Sequence, residues 1–290
     1  MAASLTFMSL SWAAIFVGLV VLISKIKDYR IVRETVSAAV KMIIQLFIMG
    51  YILVAIIYIE QDISNIISQL FMWAIVAVML LNAVLTTSQR GKGIPRIRVI
   101  TTLGILVGAF TVLVVLMIAG VAEYSVVGLI PFVGSIVGNT LTKNSQGLER
   151  IIAEFHARLP EMETILALGG TIKQATANAE RKTMQSIFIP MNDSMRNAGF
   201  FLPGAAVGLI ITGTPPVEAM IFQCIMFLSW MGGTIISATI VNTLATKQMV
   251  NNRTHQINYD IVRSFSPSPH DHDRHDFDRH GNHDRHSMNA

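Results

Sequence analysis

Histidines alternate with aspartates near the C-terminal end of the chain. Imidazole nitrogens and carboxylate oxygens are ligands for zinc, nickel, copper or iron, so this stretch is a candidate metal-binding segment. The spacing fixes no single coordination geometry, and a solvated tail with incidental metal affinity is an equal alternative. Residues 251–290 are too polar to bury a core, which predicts a disordered tail. The candidate ligands are His270, His272, His275, His280, His283 and His286.

A second group of candidate residues is polar and lies within or beside apolar runs: Asn139, Asn192, Asp193 and Gln223. Polar groups at membrane depth are functional candidates by default, and the alternative for the amides is hydrogen bonding between helices. Prolines are expected to break two of the runs and free backbone carbonyls toward a wet cavity. These residues predict a translocation path.

The composition shows which elements must position these residues. Of 290 residues, 52% are hydrophobic and 14% are charged, whereas soluble domains are roughly a quarter charged. We therefore predict an all-α polytopic membrane domain over residues 1–250 with about seven helices, each able to cross a core about 30 Å thick. The apolar runs are residues 5–23, 42–59, 66–85, 99–119, 124–141, 187–211 and 217–244.

The distribution of positive charge predicts the orientation. Lys and Arg follow the first, third, fifth and seventh runs, and the alternate connections near Glu60, near Glu123 and at 214–216 contain none. By the positive-inside rule the N-terminus is outside and the C-terminus is cytoplasmic. The basic excess therefore reflects topology and not nucleic-acid binding. The first run has its positive flank after it, which favours a retained anchor over a cleaved signal peptide.

Small residues and a charged segment predict how the helices pack. Pairs of glycines four residues apart place a smooth stripe on a helix and let backbones approach closely. Residues 26–40 suit either a helix at the cytoplasmic interface or an early start of the second span. The predicted packing or break positions are Gly104, Gly108, Pro131, Gly134, Gly138, Pro203, Gly204 and Gly208.

The loop at about residues 143–186 carries a third pattern. Apolar residues recur at helical spacing up to Leu159, and Pro160 is expected to stop or restart that helix. A short helix over 161–168 then ends at two glycines, and Thr171 with Gln174 matches a capping box that opens another helix. A short helix at the apex of a bundle suits docking to another protein. An ordinary interfacial loop is the alternative.

This loop resembles the coupling segment of ABC-transporter permeases, because Glu163 and Gly169 have the required spacing, although Thr164 and Ile165 replace two alanines. Residues 128–230 resemble the FetB-type permease family, which comprises bacterial permeases linked to iron export and plant relatives linked to aluminium tolerance. The matching residues are Pro131, Gly134, Gly138, Asn139, Leu166, Ala167, Leu168, Gly169, Gln174, Ala175, Pro190, Asn192, Gly199, Leu202, Pro203, Gly204, Gly208, Gly213, Pro215 or Pro216, Ala219 and Gln223.

The resemblance implies the membrane subunit of an ABC transporter in a bacterial inner membrane, a homodimer surrounded by lipid that exports a metal ion such as iron. ATP and Mg would bind a separate ATPase, since the chain contains no phosphate-loop motif and no cofactor is expected on it beyond a divalent metal on the tail. The implied ATPase-coupling residues are Glu161, Glu163, Leu166, Ala167, Leu168, Gly169 and Gly170.

Other readings remain open. The family's methionines and glutamine are replaced by Ala205, Ala206 and Leu209, so the resemblance supports the transporter class better than the cargo, and a nucleotide sugar is an alternative cargo. A secondary transporter or channel would need buried acidic residues, but the acidic residues nearest the spans lie at their outer ends, namely Glu60, Asp62, Glu123 and Glu218. A membrane-embedded enzyme is least favoured, because Cys224 has no histidine near it in sequence.

Overall fold

The computed structural model divides the chain into two compact units, Met1–Phe71 and Met72–Ala290. The predicted metal tail, Leu202 and Glu123 lie outside the described residues. The structure describes residues 7–29, 31–62, 65–122, 124–200, 203–251 and 256–263.

The described residues form nine helices and two very short strands, which bears out a helical architecture. The strands are β1 (Val250–Asn251) and β2 (Gln256–Ile257), and they pair antiparallel. The helices are α1 (Phe7–Ile26), α2 (Val32–Asp62), α3 (Asn65–Arg90), α4 (Ile97–Ile118), α5 (Val126–Ala167), α6 (Ile172–Asn197), α7 (Gly204–Ile211), α8 (Pro216–Met249) and α9 (Tyr259–Arg263).

Among the described residues, four helical segments are long and apolar enough to cross a membrane: Val32–Ile52, Gln69–Arg90, Ile97–Ile118 and Pro216–Met249. A shorter apolar helix covers Trp12–Ile26. In the first unit, α2 begins at Val32 and continues to Asp62, so the second span starts early instead of following a separate interfacial helix. The count of seven spans and their orientation stay predictions.

Two of the expected proline effects need correction. The helix α5 runs without interruption through Pro131 and Pro160, where a break and a stop were expected. Each proline removes one backbone donor, but α5 packs along α4, α6 and α8, and such packing can outweigh the lost hydrogen bond. The sixth apolar run is instead divided. The first part of the run belongs to α6, which ends at Asn197, and Pro203 is the N-cap of α7.

The helix α8 is the centre of the second unit and contacts α4, α5, α6, α7 and β1. Its approach to α4 depends on glycine. A Cβ on Gly104 would lie 2.4 Å from Val241 Cγ2, and a Cβ on Gly108 would lie 2.6 Å from the carbonyl oxygen of Gly233. The stripe predicted on α4 is therefore a site of close backbone packing.

The other two predicted glycine stripes have looser surroundings. A Cβ on Gly134 would make only ordinary contact with Met79, at 3.6 Å. A Cβ on Gly138, Gly204 or Gly208 would meet no described atom within 4 Å. The spacing of the glycines therefore predicts a smooth helix face, but it does not predict whether another helix packs against that face.

We predict that Gly108→Ala destabilises the second unit by roughly 1–3 kcal/mol, because the methyl group would displace a backbone carbonyl that cannot rotate away. The measurement is unfolding in mixed detergent micelles followed by circular dichroism. Gly208→Ala is the matched control and should stabilise by up to about 1 kcal/mol through helix propensity. Equal effects of the two substitutions would contradict the α4–α8 packing.

Candidate functional site

The connection between α5 and α6 is a tight, built turn. Gly169 has a left-handed φ of 82°, and its N–H and that of Gly170 donate to the carbonyls of Leu166 and Ile165 at 3.0 and 2.9 Å. A Cβ on Gly170 would lie 2.7 Å from the oxygen of Ile165, so only glycine fits there. Both glycines thus end α5, as the sequence predicted.

The start of α6 is capped as the sequence predicted. The N–H of Thr171 donates to Gln174 Oε1 at 2.8 Å, and the N–H of Gln174 donates to Thr171 Oγ1 at 3.3 Å. This reciprocal capping box satisfies two helix donors that would otherwise need water. The two helices therefore form a helical hairpin, called here the apical hairpin (residues 143–186). Hydrogen bonds close its tip at residues 168–171.

A charged network holds the sides of the apical hairpin together. Arg158 donates to Glu154 Oε2 at 2.8 Å and to Glu161 Oε2 at 2.9 Å, and Asn178 on α6 donates to Glu161 Oε1 at 2.8 Å. Glu154 is buried and also pairs with Arg150. The hydrogen bond from Arg158 lowers the pKa of Glu154 despite burial, and the bonds from Asn178 and Arg158 lower that of Glu161.

Beneath the tip lies a hydrophobic core that fixes the hairpin to the rest of the unit. Phe155, Leu148 and Ile151 of α5 are fully buried in it. Ala175 and Ala179 contribute from α6, and small side chains there let the helices approach. The residues of β2 and α9, which composition assigned to a disordered tail, are also part of this core. They are Ile257, Ile261 and Val262.

The predicted coupling residues lie together at the hairpin tip. Leu168 is 83% exposed at this tightly closed turn. Leu166 is half-buried against the core, and Glu163 accepts a hydrogen bond from the hydroxyl of Tyr259. The remaining members of the set are Glu161, Ala167, Gly169 and Gly170.

The predicted path residues are not brought together. Asn139 is half-buried and donates to the carbonyl of Ser135 on its own helix at 3.0 Å. Gln223 is buried, whereas Asn192 and Asp193 are exposed on α6. Within the described ranges, no hydrogen bond joins any two of these four side chains. Their role as a path stays a prediction.

Sequence reasoning missed two polar contacts between α5 and α8 and several buried polar side chains on the same two helices, which together are called here the polar seam. Trp230 Nε1 donates to Ser135 Oγ at 2.7 Å, and Asn144 Nδ2 donates to Ser237 Oγ at 2.6 Å. These two bonds show that α5 and α8 run in the same direction. The members of the polar seam are Ser135, Thr140, Asn144, Trp230, Thr234, Ser237 and Asn242.

The polar seam carries oxygens that the described protein atoms leave unpaired. Thr140 Oγ1, Thr234 Oγ1 and Asn144 Oδ1 are buried without a hydrogen-bond partner in the described part of the chain. Asn242 bridges to a third helix by donating to Met184 Sδ at 3.2 Å. The available signal was the recurrence of Thr234 and Ser237 at helical spacing inside an apolar run.

The described residues form an apolar cavity and no cluster of metal ligands. A cavity of about 410 Å³ between α3, α4 and α5 is lined by apolar surface, with Phe110, Leu113 and Val133 among its walls. Across the described ranges, no group of three or more His, Cys, Asp or Glu side chains is close enough to hold a metal. The candidate histidine ligands lie outside these ranges.

Glu180 is the half-buried carboxylate of the hairpin. It accepts a hydrogen bond from Thr176 Oγ1 at 3.3 Å, and Lys173 and Lys247 lie near enough to favour its charged form. Burial outweighs these effects and raises its pKa above the ordinary value of 4.5.

Comparison with known proteins confirms the resemblance seen in the sequence. A family model described as "Uncharacterised protein family (UPF0014)" matches residues 7–250. The chain is 29% identical over 255 residues to the "Probable iron export permease protein FetB" of Escherichia coli (strain K12), covering 86% of this chain and 93% of that protein. It is 28% identical over 227 residues to "Protein ALUMINUM SENSITIVE 3" of Arabidopsis thaliana, covering 78% and 81%. It is 28% identical over 242 residues to "UPF0014 membrane protein YjkA" of Bacillus subtilis (strain 168), covering 82% and 93%. No solved structure matches the chain.

We predict that Glu180→Gln raises the melting temperature at neutral pH. A carboxyl whose folded pKa is raised binds more protons in the folded than in the unfolded state, so its contribution to stability falls as the pH rises through the folded pKa. The gain from the neutral amide should shrink as the pH falls through the raised folded pKa and should be lost once the pH is below the ordinary value of 4.5. Melting curves of detergent-purified protein across pH test this, with exposed Glu218→Gln as the control without a gain. A pH-independent difference would refute it.

Proposed function

Because the chain belongs to the UPF0014 family and is an integral membrane protein, we propose that it is the permease subunit of an ABC transporter. The observation that carries the proposal is the hairpin tip, where Leu168 is 83% exposed on a turn that is closed by glycines and supported by a buried core. A rigid, apolar tip suits docking into a groove of a partner protein. The partner is an ATPase subunit that binds ATP and Mg, and two copies of each protein form the transporter.

The proposed cargo is a metal ion, with iron first. One relative is named a probable iron export permease and another is named for aluminium sensitivity, and both names concern metal ions. The proposed membrane is a bacterial inner membrane, with the apical hairpin in the cytoplasm, as the distribution of Lys and Arg predicts. Closure of the ATPases would push on the tip and rock the helices between inward and outward openings.

The polar seam is the proposed core of the translocation route. Its hydroxyl and amide oxygens can replace part of the hydration shell of a cation without a permanent charge to hold it. The three buried, unpaired oxygens on Thr140, Asn144 and Thr234 support this assignment, because such groups are costly in a membrane interior unless water or an ion satisfies them. Asn139 and Gln223 remain candidates for its ends.

We predict that Leu168→Arg abolishes or strongly reduces co-purification of an ABC-type ATPase with the tagged chain from its own host. The Leu168 side chain is exposed and not part of the core, so the permease should remain folded. A charged side chain in place of leucine at the centre of the docking surface should weaken the binding free energy of the ATPase by roughly 2 kcal/mol or more. The measurement is mass spectrometry of complexes purified in mild detergent, with melting temperature as the check on folding.

Gln185→Arg is the matched control, since Gln185 is exposed on α6 at about 20 Å along the helix from the tip. It should retain the ATPase. Recovery of the folded wild-type chain without any ATPase would overturn the proposed class, and equal retention by both variants would remove the tip from the interface.

We predict a separate role for the histidine tail in capturing the cargo. Deleting residues 264–290 should leave the maximal rate of metal transport unchanged and raise the metal concentration needed for half-maximal rate, since imidazoles and carboxylates concentrate divalent ions near the entrance. The measurement is metal uptake into inside-out vesicles across a range of iron concentrations. An unchanged concentration dependence would refute capture.

A further inference from the structure

The chain beyond α8 folds back onto the apical hairpin. After Met249, β1 pairs with β2 through the register Val250↔Ile257. The N–H of Asn258 donates to the carbonyl of Met249 at 2.9 Å, and the N–H of Val262 donates to the carbonyl of Asn258 at 3.1 Å. These bonds join the end of α8 to α9, and residues 249–251 and 256–263 are called here the C-terminal brace.

The brace shares a core with the hairpin. Ile257, Ile261 and Val262 are all less than a tenth exposed, and they pack in the same cluster as Phe155 and Met162. Both β2 and α9 contact α5. Burial of several apolar side chains, each worth roughly 1.5–3 kcal/mol, is enough to hold a segment this short in one position.

A polar contact then links the brace to the hairpin tip. The hydroxyl of Tyr259 at the start of α9 donates to Glu163 Oε1, across 96 residues of sequence. Glu163 lies one turn before Ala167 on the last part of α5, within the predicted coupling residues. A hydrogen bond to a carboxylate is stronger than one between neutral groups and is directional, so it fixes position as well as distance.

We infer that the brace connects the hairpin tip directly to α8 and that Tyr259 is the positioning residue for Glu163. The inference rests on the proposed coupling to an ATPase. A push on the tip reaches the helices along α5, and it also reaches the end of α8 through Glu163, Tyr259 and the paired strands. Since α8 carries Thr234 and Ser237 of the polar seam, this second connection makes α5 and α8 respond together.

The test uses Tyr259→Phe in the full chain, reconstituted with its ATPase in liposomes. The substitution removes the hydroxyl and keeps the ring, so packing is retained. The melting temperature should stay unchanged and the ATPase should remain bound, whereas iron transported per ATP hydrolysed should fall roughly threefold or more, given the usual strength of hydrogen bonds to charged groups. Hydrogen exchange of residues 163–170 should become faster.

Four further variants make the result specific. Glu163→Gln keeps an acceptor for the hydroxyl and should retain most of the wild-type ratio, whereas Glu163→Leu should lower it, and adding Tyr259→Phe to Glu163→Leu should cause no further loss. Tyr124→Phe is the matched control, since the hydroxyl of Tyr124 accepts from Trp73 Nε1 at 3.1 Å. It should change neither the ratio nor exchange at 163–170.

The outcomes separate the inference from the proposed function. Unchanged hydrogen exchange at 163–170 in Tyr259→Phe overturns positioning, whether or not an ATPase binds. Faster exchange with an unchanged transport ratio also overturns it, because the contact would then be structural only. Absence of any ATPase from the wild-type chain refutes the proposed function, and the exchange experiment still decides whether Tyr259 positions Glu163.

Discussion

The close contact between α4 and α8 is the constraint on which the second unit depends. In a lipid environment the hydrophobic effect gives helices little reason to associate, so packing and hydrogen bonds must hold them together. Here the carbonyl oxygen of Gly233 would lie 2.6 Å from a Cβ at Gly108, a separation that only glycine permits. Ser237 of α8 lies beside the same glycines of α4 and accepts a hydrogen bond from Asn144 of α5, so the glycine contact and the polar seam meet at this residue.

The helix α5 is uninterrupted and connects the hairpin tip directly to the polar seam. The helix has 42 residues and is therefore about 63 Å long. Asn144 and Glu163 lie on this one helix, and no hinge separates them, since Pro160 is accommodated within it. The network of Glu154, Arg158 and Glu161 stiffens the part between them. A helix of this kind transmits a displacement instead of absorbing it, which is what a coupling element requires.

Local patterns predicted the parts of the site that depend on neighbouring residues. The capping box of Thr171 and Gln174 and the left-handed Gly169 are of this kind, since the groups that bond lie three to four residues apart. The polar seam was missed because Asn144 and Ser237 are 93 residues apart, and the sequence does not show which helix faces face each other. Tyr259 was missed for a related reason. Its segment follows the last apolar run, and it is held in place by strand pairing at the end of α8 and by apolar contacts with a distant hairpin. The expected break at Pro131 failed because tertiary packing outweighs a local preference.

Under the proposed function, the polar seam conducts the ion and the histidine tail captures it. A buried carboxylate or thiolate would hold a divalent ion tightly and slow its release, whereas neutral oxygens bind weakly enough to exchange. By the resemblance described above, Ala205, Ala206 and Leu209 stand where the family has methionines and a glutamine. Their apolar side chains provide no metal ligand on α7, which agrees with a route of weak ligands. The imidazoles and carboxylates of the tail are stronger ligands than the neutral oxygens of the seam, so under this proposal they capture the ion before it enters the route. In sequence they follow the brace, which contacts the coupling tip.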